Sequence, residues 1–163
     1  MDDMHPSGKD KRPAVQAGST GSAVGQNAPD FSLPDTLGGS VTLSTELTAT
    51  AVKGVVVYFT MWCPICDGHM SSIRSTEIPI FPSVKFYAVD YVSGSVSEAR
   101  NEEISNGYDG SGFRVLADTG QYVLNRFNAT MGTTVVIDKT GQILMNEDYK
   151  DGSRLHAILS TLP

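Results

Sequence analysis

Gly54-Val55-Val56-Val57-Tyr58-Phe59-Thr60-Met61-Trp62-Cys63-Pro64-Ile65-Cys66 runs an apolar strand straight into a cysteine pair. After Gly54 the next six residues are β-branched or aromatic with no polar face, the pattern of a strand covered on both sides. Pro64 suits the first position of a helix, where its missing N–H is not needed. Cys66, Met70 and Ile73 then recur at helical spacing to about Thr76, and Pro79 and Pro82 are expected to end the helix. Two cysteines separated by two residues at such a junction can close a small disulfide. The unpaired N–H groups and positive dipole end of the helix favour a thiolate on Cys63, which makes it the candidate nucleophile with a modestly lowered pKa. Cys66, one turn further in, is the candidate resolving thiol. A structural bridge, a two-thiol corner of a metal site and two unpaired cysteines are the other readings of the pair.

Working outward, Phe31 and Leu33 alternate with polar residues before Pro34-Asp35-Thr36-Leu37-Gly38-Gly39, and Val41 and Leu43 alternate after it, which predicts a hairpin. Val84–Val92 reads as the strand that completes a β-α-β unit, a right-handed crossover to a parallel pair. Ser95 with Glu98 has the form of a capping box before a helix over Val96–Asn106. A short strand at Phe113–Leu116 and a short helix around Tyr122, Val123 and Phe127 follow. Thr133–Ile137 then turns at Asp138-Lys139-Thr140-Gly141 into a second hairpin strand, Gln142–Met145. Ser153 is the expected N-cap of a last helix carrying Leu155, Ile158, Leu159 and Leu162 on one face. The fold class is α/β.

At 163 residues the chain has the length of one domain. Residues 1–25 hold hardly any large apolar side chain and read as a flexible leader, leaving residues 26–163 as the folded domain. Such a leader has the form of a tether left when a signal or anchor is removed from an extracytoplasmic, periplasmic protein; an ordinary tail on a cytoplasmic protein has the same composition. The net charge of −6 argues against nucleic acid or anionic lipid as a partner. Cys63, Cys66 and His69 form C-x2-C-x2-H, but zinc in a structural site wants four ligands, and neither His5 nor His156 supplies the fourth. No metal and no cofactor are expected, and both His69 and His156 read as exposed helix residues. Glu98, Glu102 and Glu103 read as a solvated face. Asp90, ending its strand at the edge that carries the cysteines, is the candidate proton relay, and Trp62 the candidate contact surface beside the nucleophile.

The chain resembles the thioredoxin superfamily, and within it the TlpA/ResA-like branch of the AhpC/TSA redoxins, which are extracytoplasmic thiol-disulfide oxidoreductases. The resemblance runs from about Gly25 to Leu162. It rests on Ala28-Pro29-Asp30-Phe31 and the early hairpin, on Val57 to Cys66, on Ala88-Val89-Asp90, on Phe113 to Asp118 and on Thr133 to Gly141. It implies a central mixed sheet with helices on both faces and an extra N-terminal hairpin. It also implies a reductant of protein disulfides, as in cytochrome c maturation, with Cys63 attacking and an upstream thiol electron donor. A monomer is expected. Substrate would be held by Trp62, Pro64, Ile65 and the loop Met131-Gly132-Thr133.

Three positions depart from the family pattern. Met131-Gly132-Thr133 stands where a cis-proline usually shapes the substrate groove, so a trans bond or local strain is expected there. Val57 stands where many thioredoxins keep a buried acid that takes the proton of the resolving thiol, a task left to another group or to water. Asp67 beside Cys66, with Arg74 the nearest cation along the helix and an apolar Ile65, points to a reducing couple. Two alternatives stand beside this reading. One is a peroxiredoxin-like thiol peroxidase, since Thr60-x-x-Cys63 matches part of a peroxide site while Val56 and Met131-Gly132 replace its proline and arginine. The other is a non-catalytic thioredoxin-fold binding module with a structural disulfide.

Overall fold

The computed structural model describes residues 18–163. Strands β1 (Ser32–Pro34) and β2 (Ser40–Thr42) pair antiparallel as the early hairpin. The alternation expected to continue through Leu43 stops there, because Leu43 opens a short helix, α1 (Leu43–Thr48). Strand β3 (Gly54–Thr60) is buried at every position, as its unbroken apolar run requires. It leads into α2 (Pro64–Ser72), which carries on through a π-helical turn, Ile73–Glu77, into α3 (Ile78–Ile80). The helix therefore outlasts its expected end at Thr76. Pro79 has no N–H to give and its ring crowds the carbonyl one turn back, and the widened turn just before it accommodates both demands.

Next come β4 (Val84–Asp90), α4 (Val96–Ser105), β5 (Phe113–Ala117), α5 (Tyr122–Arg126), β6 (Thr133–Asp138), β7 (Ile143–Asp148) and α6 (Ser153–Leu159). Ser95 caps α4 as expected, accepting the Glu98 N–H. The cap of α6 is not Ser153. Gly152 holds the N-cap position at φ 85°, and Asp151 Oδ1 accepts the Ser153 N–H at 3.0 Å. The main sheet has the order β5-β4-β3-β6-β7, with β3, β4 and β5 parallel and β6 and β7 antiparallel to their neighbours. This is the mixed, thioredoxin-like sheet with an added hairpin.

Each face of the sheet carries its own core. Val55, Val57 and Phe59 pack with Leu33 and Val41 of the hairpin and with Val123 and Phe127. Val56 and Tyr58 pack on the other face, with Cys66, Met70 and Ile73 of the long helix and Leu155 and Leu159 of α6. The period-two alternation of β3 thus puts Val57 across the sheet from Cys66. An acid at position 57 would not face the thiol here; the strand residue that does is Tyr58.

Residues 18–25, read from composition as part of a leader, are tied to the domain. The Gly25 N–H donates to the Ile143 carbonyl at 3.0 Å, and the amides of Asn128 and Asn146 donate to Ser22. Polar bonds hold this segment, which is why its lack of apolar side chains misled. The remainder of the expected leader, with His5, lies outside the described residues.

The hairpin is pinned to β5 by a buried carboxylate. Asp35 accepts N–H bonds from Leu37 and Gly39, at 3.0 and 2.7 Å, and from Arg114 Nε at 2.9 Å. Burial alone would raise its pKa, but the Arg114 guanidinium and the two backbone donors outweigh this and hold the carboxyl below its ordinary value. A carboxyl depressed on folding contributes stability above its unfolded pKa of about 3.9, and that contribution is lost as pH falls through the folded value. Asp35→Ala is expected to cost about 1–3 kcal/mol at pH 7, by removing the buried acceptor of two backbone N–H groups and the partner of Arg114. Urea midpoints should show the gap to wild type narrowing below about pH 4.

Candidate active site

Cys63 is the N-cap residue of α2, in extended geometry, and its Sγ accepts the Cys66 N–H at 3.2 Å. Proline at the next position leaves that N–H free to turn onto the sulfur. Cys63 is half-buried and Cys66 fully buried, both as free thiols, so a substrate can reach only Cys63. The two thiols are coupled. Burial raises both, but the Cys63 thiol, the Met61 and Cys63 N–H groups and the Thr60 hydroxyl bond to Cys66 and bring it below an ordinary cysteine. Cys63 goes up, through burial and the hydrogen bond it shares with Cys66, against the N–H groups of Cys66 and Ile65. The expected lowering is therefore a property of the pair, resting on Cys66 in the dithiol. Shifting one proton along one hydrogen bond moves the charge to the exposed sulfur.

Trp62 lies at φ 63°, a left-handed conformation that costs a non-glycine residue about 1–3 kcal/mol. Two bonds hold it there. Its N–H donates to Thr60 Oγ1 at 3.0 Å and its indole Nε1–H to Asp90 Oδ2 at 2.9 Å. Asp90 is fully buried and also accepts from the Val92 and Ser93 N–H groups and the Ser93 hydroxyl. The structure thus spends this carboxylate on orienting Trp62 and turning the chain after β4; none of these partners is a cysteine. Asp67, beside Cys66 in sequence, accepts the Tyr108 hydroxyl at 2.9 Å, and Arg74 lies over the Tyr108 ring at 4.6 Å.

The loop Met131-Gly132-Thr133 comes to the cysteines only in part. No cis peptide occurs among the described residues, so the Met131–Gly132 bond is trans. Gly132 takes φ 86°, and its N–H and carbonyl bond to the Phe59 carbonyl and the Tyr149 N–H. Thr133 is buried, its hydroxyl closing the loop by accepting the Thr130 N–H at 2.9 Å. Gly132 and Thr133 therefore shape the loop from inside. Met131 remains half-buried and packs against the same core as Trp62 and Cys63. Pro64 and Ile65 are exposed beside Cys63, Ile65 at 60%, and Met61 adds a further exposed apolar side chain.

Tyr58 and His69 were not anticipated. His69, read as an exposed helix residue, is half-buried, with Nδ1 2.7 Å from the Tyr58 hydroxyl and its ring 4.6 Å from that of Tyr149. Burial lowers its pKa, and Asp148 pulls the other way. The Tyr58 phenol is held protonated, first by burial and then by the charge and hydrogen bonding of Cys66. The sequence does carry a signal: His69 lies three residues after Cys66, on the same helix face, and Tyr58 shares with Thr60 the only hydroxyls of the strand. His156 is exposed, as read from the sequence, and pairs through Nδ1 with the buried Glu77 at 2.9 Å.

Thr60, which raised the peroxide-site comparison, is fully buried and serves Trp62 and Cys66 rather than Cys63. Among the described residues no group of three His, Cys, Asp or Glu gathers as metal ligands, so C-x2-C-x2-H does not close around an ion.

The AhpC/TSA family model matches residues 24–145. The chain belongs to the AhpC/TSA family. Two relatives place this AhpC/TSA member in the ResA-like branch. The thiol-disulfide oxidoreductase ResA of Geobacillus kaustophilus is 31% identical over 128 residues, covering 76% of this chain and 68% of that one. ResA of Geobacillus thermodenitrificans is 31% identical over 127 residues with the same coverage. Among solved structures, MTB DsbF in mixed oxidized and reduced forms superposes with a TM-score of 0.67 at 21% identity, over 82% of this chain and 95% of that one. The AhpC/TSA member described here is a thiol-disulfide oxidoreductase.

Proposed function

We propose that this enzyme reduces protein disulfides, with Cys63 as the attacking and Cys66 as the resolving thiol. One observation carries the reading: Cys63 is the accessible sulfur at the start of α2, and Cys66 is buried directly behind it with its N–H on the Cys63 Sγ. The Cys63 thiolate attacks one sulfur of the substrate disulfide; the S–S bond breaks and its electron pair leaves on the other sulfur. Cys66 then attacks Cys63 in the mixed disulfide, releasing the second substrate thiolate. Two electrons reach the substrate and a Cys63–Cys66 disulfide remains, which an upstream thiol donor must reduce again.

What faces the sulfurs supports the reducing direction. Strong oxidants have an unusually stabilised thiolate. Here stabilisation comes from hydrogen bonds, while Arg74 bonds to the Gly107 carbonyl and covers Tyr108. The exposed apolar side chains of Met61 and Ile65, with half-buried Met131, suit an extended, apolar segment of a protein substrate. Resemblance to the TlpA/ResA-like branch supports an extracytoplasmic place of work.

Insulin-disulfide reduction and hydrogen-peroxide consumption, measured side by side with dithiothreitol as donor, test the reading. Insulin reduction should run well above the donor-only rate, and peroxide consumption should match it. Peroxide turnover with a sulfenic acid on Cys63 would replace the reading with the peroxidase. No exchange with either substrate and a potential below about −300 mV would indicate a structural bridge.

A further inference from the structure

We propose that Tyr58 and His69 form the relay that removes the proton from Cys66 when it resolves the mixed disulfide, a role that rests on the assignment of Cys66 above. The need arises from burial. In the resting dithiol the Cys63 thiol is the strongest of the partners favouring a charged Cys66. Once Cys63 is bonded to substrate it has no proton to share, and that support is gone. Cys66 is fully buried, and burial then works against its ionisation unless a base takes the proton.

The acids near the site are occupied elsewhere. Asp90 is saturated by Trp62, Val92 and Ser93, and Asp67 accepts from Tyr108. Thr60 already receives the Trp62 N–H and is a donor to sulfur, not a base. The phenol of Tyr58 lies in the same core cluster as Cys66, whose charge it senses, and meets His69 Nδ1 at 2.7 Å. His69 is half-buried and opens to solvent. The groups facing it are Tyr58 from β3, Gly132 from the loop, and Asp148 and Tyr149 from the end of β7.

The step balances without any added reactant. Cys66 gives its proton to the Tyr58 oxygen while the Tyr58 hydroxyl proton passes to His69 Nδ1, so the phenol is never left charged. The Cys66 sulfur attacks Cys63, the bond from Cys63 to the substrate breaks, and the electron pair leaves on the substrate sulfur. The imidazolium, favoured by the Asp148 charge, returns its proton to water. Burial holds His69 below its ordinary pKa, so at neutral pH it is the free base the relay requires. In this relay Tyr58 takes the proton from the reacting thiol and is the catalytic residue; His69 acts through Tyr58 as the positioning residue.

Stopped-flow reaction of the reduced protein with dithiobis(nitrobenzoate) separates the steps, since one coloured thiolate is released on attack by Cys63 and a second on resolution by Cys66. Cys66→Ser identifies the first phase. In wild type the second phase should be flat at neutral pH and fall as His69 protonates, at a pH below 6.5. In Tyr58→Phe and in His69→Gln the second phase should be about 10²-fold slower at pH 7. It should also lose that inflection and rise with pH. Phenylalanine keeps the buried ring, and the half-exposed His69 gives a second variant should the core resist change. Wild-type second-phase rates and pH profiles in both variants would overturn the relay. Absence of a second phase in the wild type would remove the assignment of Cys66, and the relay with it.

Discussion

Cys63→Ser should abolish insulin-disulfide reduction, with the rate falling to that of the donor alone, a loss of at least about 10³-fold. The reason is the thiolate requirement: a serine hydroxyl at the same N-cap accepts the same N–H but does not ionise near neutral pH, so it cannot open a disulfide. Cys66→Ser should behave differently. Its Cys63 remains at the helix start and accessible, so attack proceeds, but nothing resolves the product. The variant should accumulate a mixed disulfide on Cys63 that survives non-reducing electrophoresis and disappears with added thiol. The same pair of variants tests the ordering of the two sulfurs. Should Cys63→Ser form the stable adduct and Cys66→Ser remain unreactive, Cys66 would be the attacking thiol despite its complete burial.

Asp90→Ala should be the most destabilising change near the site, at about 3–5 kcal/mol, against a total of roughly 5–15 kcal/mol for a domain. The fully buried carboxylate accepts from two backbone N–H groups, a hydroxyl and an indole, and alanine leaves these donors without a partner. The loss has a functional side. Trp62 sits at φ 63° immediately before Cys63, and its indole bond to Asp90 helps to hold it there. As the only tryptophan of the chain, it reports its own release as a change in fluorescence at temperatures where the variant is still folded. Insulin reduction should fall about tenfold or more as the residue before the nucleophile loses its fixed geometry. Fluorescence and activity indistinguishable from wild type in folded Asp90→Ala would show that packing alone orients Trp62. Asp90→Asn, which keeps one accepting oxygen, should fall between the two.

Asp90 also shows where one-dimensional reading stops. Its place at the end of β4, at the edge carrying the cysteines, followed from the β-α-β pattern and was sound. Its role did not follow, because its indole partner is 28 residues away and a carboxylate at a strand end serves equally as a relay or an anchor. His69 presents the reverse case. Within C-x2-C-x2-H it reads as an exposed helix residue or a metal ligand, and the group that claims it, Tyr58, stands on the strand before the motif. Val57 drew attention as the place of a missing acid, whereas the sheet turns its side chain into the opposite core.

The elements themselves were largely legible, because the rules that make them are local. An unbroken apolar run made β3, proline after Cys63 started α2, Ser95 capped α4, and turn residues between apolar runs made the β6–β7 hairpin. Where a boundary moved, a tertiary or capping alternative had intervened: the π turn before Pro79, Gly152 in place of Ser153 at the N-cap of α6, and Leu43 opening α1.

By itself, then, the amino-acid sequence determined the strand-to-helix junction, the spacing of Cys63 and Cys66 on one helix turn, and the α/β order around them, all consequences of backbone periodicity and short-range bonding. The tertiary structure alone decided which sulfur is reachable, what Asp90 holds, how residues 18–25 dock, and that Tyr58 and His69 meet beside Cys66. Each of these depends on burial or on side chains far apart in the chain, and their pairing exists only once the sheet has closed between its two cores.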